Sequence, residues 1–249
     1  MVRIIGLIPA RFGSTRFPGK PLALLRGRPM IQHVYERALK ASCLDYVAVA
    51  TDDQRIKACV EAFGGKALMT NPNHSCGTER LAEACDVLQL SKDDLVVNIQ
   101  GDQPLLAPEV LEELVRPLLL DPSLPMATVA KPFESQEECL NPNRVKVVLD
   151  RRGRALYFSR APIPFYRPPG KRPGYLRHIG IYAYRRAFLD IFVRLPRGEL
   201  EQAESLEQLR ALEHGYAIAV SLTQYECPEV DTPEDLQKLE KENKWWETS

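Results

Sequence analysis

Three short runs of near-continuous apolar residues, Ile4 to Ile8, Tyr46 to Ala50 and Leu95 to Ile99, alternate with segments whose apolar side chains recur every three or four positions. Strands that lack polar alternation are covered on both faces, which is the pattern of a parallel sheet flanked by helices. Pro29 to Ala41, with Ile31, Val34, Tyr35 and Leu39 on one stripe, predicts the first helix; Gln54 to Phe63 predicts a second and Thr78 to Leu88 a third. The order is that of an α/β fold with a doubly wound, mostly parallel sheet.

The pattern changes in the middle of the chain. Arg144 to Leu149 and Ala155 to Ser159 flank Asp150-Arg151-Arg152-Gly153-Arg154, a hairpin turn ending near glycine, so an antiparallel insertion is expected over about residues 130–185 of a single domain spanning 1–249. Pro162, Pro164, Pro168, Pro169 and Pro173, with Gly170, Lys171 and Gly174, cannot continue a helix or a central strand and predict an exposed loop. Arg177 to Arg185 alternates, which places His178, Gly180, Tyr182 and Tyr184 on a face open to a ligand and Ile179, Ile181 and Ala183 on the packed face. Glu199 to Glu213 reads as one amphipathic helix, packed through Leu200, Ala203, Leu206 and Leu209, with Glu204, Glu207 and Gln208 sharing another side. A strand near Ala217 to Leu222 follows, and Thr232-Pro233 opens a last helix with Thr as N-cap.

Composition narrows the function classes. The 249 residues carry 33 Lys+Arg against 33 Asp+Glu, so the global basic field of a sequence-blind nucleic-acid binder is missing and anion binding falls to local clusters. With 45% hydrophobic and 27% charged residues the chain has the usual globular mixture. No apolar stretch reaches the roughly 18 residues of a membrane span, and the first ten residues lack the form of a secretory signal. Six cysteines without a CxxC pair point to a reducing compartment, the cytoplasm, and four histidines form no zinc spacing.

The chemistry gathers at strand ends. The first strand runs into a loop from Pro9 to Pro21 that holds Arg11, Arg16 and Lys20, two hydroxyls and two glycines, where open α/β sheets bind ligands. Three cations and freed backbone amides suit a polyphosphate; a solvated basic loop is the plainer alternative. Gly13 to Lys20 is one residue too long for a Walker A loop, and Pro21 replaces its hydroxyl residue. The third strand ends at Gln100-Gly101-Asp102-Gln103, a carboxylate at the same edge, suited to Mg²⁺ beside phosphates. Asp231 is a second metal candidate, or part of the helix cap it precedes. Gly77 and Thr78 allow close approach at a helix start with Arg80 in its first turn; a capped helix alone explains them equally. Cys76 beside His74 lacks an orienting third group for a thiol nucleophile. Arg160 suits an acidic substrate or a solvated strand end. No GxGxxG or GxSxG occurs.

The run Ile8 to Leu22, taken with Ser75 to Glu83, Val97 to Pro104, Asn141 to Leu149, Ala155 to Pro164, Arg177 to Tyr184, Leu206 to Arg210 and Val230 to Leu236, resembles the sugar-acid cytidylyltransferases. Gly77-Thr78-Glu79-Arg80 and Phe158-Ser159-Arg160 resemble the branch acting on 3-deoxy-manno-octulosonate (KDO) rather than the sialic-acid branch. The resemblance implies a nucleotide-diphospho-sugar transferase-like fold and a reaction in which CTP and KDO give pyrophosphate and CMP-KDO, the donor for the lipopolysaccharide inner core. It implies Ala10, Arg11, Arg16, Lys20, Gly77, Arg80 and Gln100 around the nucleotide, with Lys20 and Arg16 acting on the phosphates. Asp102 and Asp231 would hold Mg²⁺, and Gln100, Arg160, His178, Tyr182, Glu207 and Gln208 would surround the sugar acid. It also implies a homodimer; the balanced charge and the lack of a long apolar stretch predict no nucleic-acid or membrane partner. Two positions depart from the family pattern: Gln103 replaces an acid and Cys76 replaces Ser. The alternatives are a cytidylyltransferase for 8-amino-KDO or sialic acid, or a binding regulator without turnover.

Overall fold

A computed structural model describes residues 2–13, 17–135, 137–167 and 174–242. The chain divides into two compact units, Met1–Glu112 with Glu226–Ser249, and Glu113–Tyr225. The expected antiparallel subregion 130–185 falls inside the second.

The first unit is the parallel part. Its elements are β1 (Ile4–Ala10), a two-stranded flap of β2 (Leu24–Leu25) and β3 (Arg28–Pro29), α1 (Met30–Leu39), β4 (Tyr46–Thr51), α2 (Gln54–Ala62), β5 (Ala67–Met69), α3 (Gly77–Val87), β6 (Leu95–Asn98) and α4 (Pro108–Leu120), within which the division falls. The strands lie in the order β6-β1-β4-β5, all neighbours parallel. Leu7, Ile8, Ala48, Val49, Val96 and Val97 are fully buried, as continuous apolar strands require. Register pairs Leu7 with Asn98 and Ala10 with Thr51, so β1, β4 and β6 end at one edge.

The second unit contains β7 (Met126–Pro132), β8 (Lys146–Leu149), β9 (Ala155–Ser159), β10 (Leu176–Arg185), α5 (Arg186–Phe192), α6 (Glu199–Glu204), α7 (Leu209–Glu213) and β11 (Ile218–Leu222). β10 is antiparallel to β7 and β8, β8 is antiparallel to β9, and β11 runs parallel to β7. The predicted hairpin closes as expected: Gly153 takes φ 74°, and Asp150 Oδ1 accepts from the backbone amides of Arg152 and Arg154, both at 2.8 Å. Pro168, Pro169, Gly170, Lys171 and Pro173 of the expected loop lie outside the described residues; Phe165 before them is 86% exposed. The last helix, α8 (Pro233–Lys241), belongs to the first unit, where Val230 and Leu239 join Leu25, Met30 and Leu105 in one apolar cluster. Burial of each such side chain is worth about 1.5–3 kcal/mol and fastens the C-terminal segment to the N-terminal half.

Two expectations are corrected here. Glu199 to Glu213 is two helices broken at Ser205, which adopts φ 51°. Of the expected packed stripe only Leu206 and Leu209 are buried, while Leu200 is 43% exposed and Ala203 is exposed; the Glu201 and Arg210 side chains form a buried bidentate pair, Nε to Oε2 2.7 Å and a second contact of 2.5 Å, that folds α7 back on α6. The polar face of β10 is also less open than its alternation predicts. His178 and Tyr184 are 7% and 1% exposed, with the Phe158 ring edge-on to His178 and Phe192 packed against Tyr184; only Gly180 and Tyr182 on that face are half-buried.

Arg210→Ala leaves the Glu201 carboxylate buried without its partner, and urea unfolding should show a loss of about 3–5 kcal/mol. A loss below about 1 kcal/mol would deny the pair its role in the break.

Candidate active site

The edge where β1, β4 and β6 end is where helix starts and freed backbone amides can meet a ligand. After β1 the loop turns back on itself: Gly19, at φ 72°, donates its amide to the Phe12 carbonyl at 2.9 Å and lies so close to the Phe12 ring that a Cβ would stand 3.1 Å from it. This closure sends Lys20 inward. Its Nζ donates to Asp102 Oδ2 and to the Val230 carbonyl, both at 3.0 Å, and lies 3.7 Å from Asp231 Oδ1. The backbone repeats the junction, with the Val230 amide on the Asp102 carbonyl at 2.9 Å.

The capping alternative for Asp231 is resolved by its neighbour. Thr232 and Asp235 form the capping box of α8, and Asp235 Oδ2 also takes the Asp231 amide at 3.0 Å. The Asp231 carboxylate turns to Lys20. Asp102 and Asp231 therefore converge on one compact cation, and two hard oxygen donors around a shared positive centre fit Mg²⁺, which takes few protein carboxylates and completes its shell with water and phosphate oxygens.

A cleft of about 280 Å³ opens here, lined by Ala10, Arg11, Lys20, His74, Gly77, Arg80, Gln100, Asp102 and Asp231 among others. Gly77 and Gly101 both abut Pro9, whose ring and carbonyl a Cβ would meet at 3.4 Å and 3.3 Å, so these glycines keep the floor of the cleft low. Arg11 is exposed at the mouth; Arg16 lies outside the described residues. Arg80 is buried at 3% exposure, its guanidinium donating to Asp52 Oδ2 at 2.8 Å and to the Thr70 hydroxyl. His74 sits between Glu83, 2.5 Å from Nε2, and Glu79, 3.8 Å from Nδ1. Sequence reasoning passed over Asp52, Thr70 and the acids on His74. Asp52 carried a usable signal: it follows a buried strand directly, as Asp102 nearly does.

The residues assigned to the sugar acid, Gln100 apart, lie in the second unit. The Thr128 hydroxyl donates to the Ile181 carbonyl at 2.7 Å, so His178 Nε2, 2.9 Å from the same oxygen, carries the proton and Nδ1 is left as an acceptor. Burial, aided by the Arg177 charge, holds the His178 pKa down to about 3, and burial with the nearby Glu207 carboxylate pushes the Tyr182 phenol well up. The two rings are 5.5 Å apart. Glu207 lies 3.6 Å from Arg210, and Gln208 Nε2 is a buried donor without a hydrogen-bond partner. Arg160 spends its guanidinium on backbone: Nε to the Glu204 carbonyl at 2.6 Å, and its other nitrogens to the Pro142 and Ser205 carbonyls at 3.0 and 3.3 Å. It braces the turn that carries Glu207 and Gln208.

A parallel-sheet edge bearing a cationic loop, paired aspartates and a glycine-floored cleft defines a nucleotide-binding α/β protein of the transferase type. The chain belongs to the cytidylyltransferase family, whose sequence profile matches residues 5–220. It is 58% identical over 239 residues, 96% of each chain, to 3-deoxy-manno-octulosonate cytidylyltransferase of Syntrophobacter fumaroxidans. It is 54% identical over 235 residues, 94% of this chain and 96% of the other, to 8-amino-3,8-dideoxy-manno-octulosonate cytidylyltransferase of Shewanella pealeana. A solved structure of CMP:2-keto-3-deoxy-manno-octonic acid synthetase complexed with CTP superposes with a TM-score of 0.91 at 47% identity, covering 96% of this chain and 97% of that one. The expected α/β nucleotide-sugar transferase fold is therefore the observed one.

The His178 imidazole makes stability sensitive to acid. From about pH 6.5 down to about pH 3 the unfolded chain binds a proton there that the folded chain excludes, so stability falls on acidification through that window by up to about 1.4 kcal/mol per pH unit. In His178→Gln this slope should be lost, as read from urea midpoints between pH 4 and 7; an unchanged slope would place the acid sensitivity elsewhere.

Proposed function

We propose that this protein transfers the cytidylyl group of CTP to KDO, releasing pyrophosphate and forming CMP-KDO for the lipopolysaccharide inner core. The observation that carries the reading is the convergence of Lys20, Asp102 and Asp231 in a cleft at the sheet edge. It stands in a chain that aligns nearly end to end with cytidylyltransferases of this substrate class. Arg11 at the mouth and Lys20 within supply positive charge to the triphosphate. The anomeric hydroxyl oxygen of KDO forms the new bond to the α-phosphorus as the bond to pyrophosphate breaks on the opposite side. Catalysis then rests on alignment and on offsetting charge at the leaving phosphates, for which Lys20 and Arg11 are placed.

Asp102 and Asp231 are the residues that would hold Mg²⁺, which when bound neutralises phosphate charge and acidifies the attacking hydroxyl. The sugar acid is assigned to the second unit. Gln208 Nε2 offers an unmatched buried donor to a hydroxyl, and His178, Glu207 and Tyr182 add polar groups. Arg160 serves that subsite through the turn it braces. The protein is further proposed to work as a homodimer, and to work in the cytoplasm, in keeping with six cysteines of which none forms a disulfide; among the described residues no helix is long and apolar enough to cross a membrane.

Pyrophosphate release from CTP should require KDO and exceed that with 8-amino-KDO or sialic acid, and no release with any of these acids would return the binding-regulator reading. Asp102→Asn should lower kcat/KM by roughly 100- to 1,000-fold with the fold retained; wild-type turnover in that variant would remove Asp102 from the reaction. Gln208→Leu should raise KM for KDO roughly tenfold while leaving KM for CTP within about twofold, and an unaltered KM for KDO would take Gln208 out of the sugar subsite.

A further inference from the structure

Arg80 is an unusual place to keep a positive charge. It lies in the first turn of α3, where the helix dipole is positive, and its side chain is 4% exposed. A buried guanidinium there is tolerable only with an anion against it. The anion is Asp52, immediately past the end of β4, whose Oδ2 is 2.8 Å from the arginine. Thr70 stands beside it because the β4–β5 ladder continues one residue further, through the Thr70 amide on the Thr51 carbonyl at 2.9 Å. Two neighbouring strand ends thus deliver a carboxylate and a hydroxyl to two different nitrogens of one planar group. Glu83, one turn along α3, lies within electrostatic range of Arg80, but its oxygen is already taken by His74 and by the Asn71 amide at 2.8 Å.

Arg80 is among the residues that line the cleft, and a guanidinium gripped at two nitrogens is held in one plane and one orientation, so the part of it that lines the cleft is presented in a single direction. We propose that Asp52, with Thr70, is a positioning residue of the nucleotide site: it fixes Arg80 in a single donor orientation and so sets the affinity for CTP without touching the nucleotide. The inference rests on the reading of the cleft as the CTP site, and concerns how that affinity is built.

The experiment is a calorimetric titration of CTP into the full chain in four forms: wild type, Asp52→Asn, Arg80→Ala and the double variant. Asp52→Asn keeps the size of the side chain and removes its charge; CTP affinity should fall roughly tenfold, because a displaced recognition group loses most of its alignment. The loss should fall on KM for CTP, with kcat at saturating CTP lowered less than about threefold. In the double variant the affinity should match Arg80→Ala within about twofold, since a residue acting only through Arg80 has nothing left to act on. Thr70→Val, which leaves the charge pair intact, should weaken CTP about threefold by removing the second grip.

Equal CTP affinity in wild type and Asp52→Asn, or losses that multiply in the double variant, would overturn the proposal while leaving the CTP site in place. A wild-type chain that takes up no CTP would instead overturn the nucleotide reading, and the positioning role with it. A structural defect would lower folded fraction and kcat together and would persist in the Arg80→Ala background.

Discussion

One ammonium group holds the site together. Lys20 Nζ is shared by Asp102, Asp231 and the Val230 carbonyl, and so joins segments 82 and 210 residues apart in sequence. Two carboxylates this close repel each other unless a cation lies between them. The lysine supplies that cation, while the apolar cluster of Val230 and Leu239 against Leu25, Met30 and Leu105 supplies adhesion that charge alone lacks at a partly exposed rim. The division of labour is physical: apolar burial brings the C-terminal segment back, and electrostatics decides where its aspartate points. The same two carboxylates that accept an ammonium are suited to accept a harder and more highly charged ion.

The second unit uses its cations differently. Lys146 is fully buried and donates to the Asn141 and Arg160 carbonyls; burial lowers its pKa. Arg160 in turn donates to three carbonyls, and Glu204 accepts from the Ser159 hydroxyl at 2.6 Å and the Arg160 amide at 2.8 Å. Charge-assisted bonds to backbone are among the stronger ones available, and here they hold an irregular turn that no ladder supports. A turn fixed in this way presents Glu207 and Gln208 with little freedom to lose on binding, which is how preorganised sites gain affinity. Neither Lys146 nor Arg160 need meet substrate to matter.

The parallel half was legible because its signal is redundant: β1, β4 and β6 are apolar on both faces, and such runs have few other uses. The cationic loop and Asp102 were legible for a related reason, since chemistry placed directly after a buried strand falls at the ligand edge of the sheet. The errors share a cause. Periodicity records where apolar side chains face and is blind to polar groups that bury in pairs, so the Glu201–Arg210 contact that breaks the helix near Ser205 left no mark. On β10, His178 and Tyr184 read as lying on a face open to a ligand, whereas Thr128 bonds His178 and the rings of Phe158 and Phe192 cover His178 and Tyr184 respectively. Asp52 follows a buried strand directly, a signal that points to the sheet edge but names no partner; its meaning depends on Arg80, twenty-eight positions away.

Gln103 shows how burial changes the weight of a sequence departure. Beside Asp102, a neutral amide in place of the acid implied by the family resemblance suggests a weakened rim of carboxylates. In the structure Gln103 is 1% exposed, its Oε1 has no hydrogen-bond partner, and it is absent from the cleft lining that Gln100, Gly101 and Asp102 share. An ionised acid at that depth would face a desolvation cost of several kcal/mol and would be driven toward its neutral form. The amide avoids that cost and leaves one unmatched acceptor, worth about 1–3 kcal/mol. The exchange therefore acts on the stability of the interior behind the strand end. The charged groups that line the cleft, Arg11, Lys20, Arg80, Asp102 and Asp231 among them, do not include position 103.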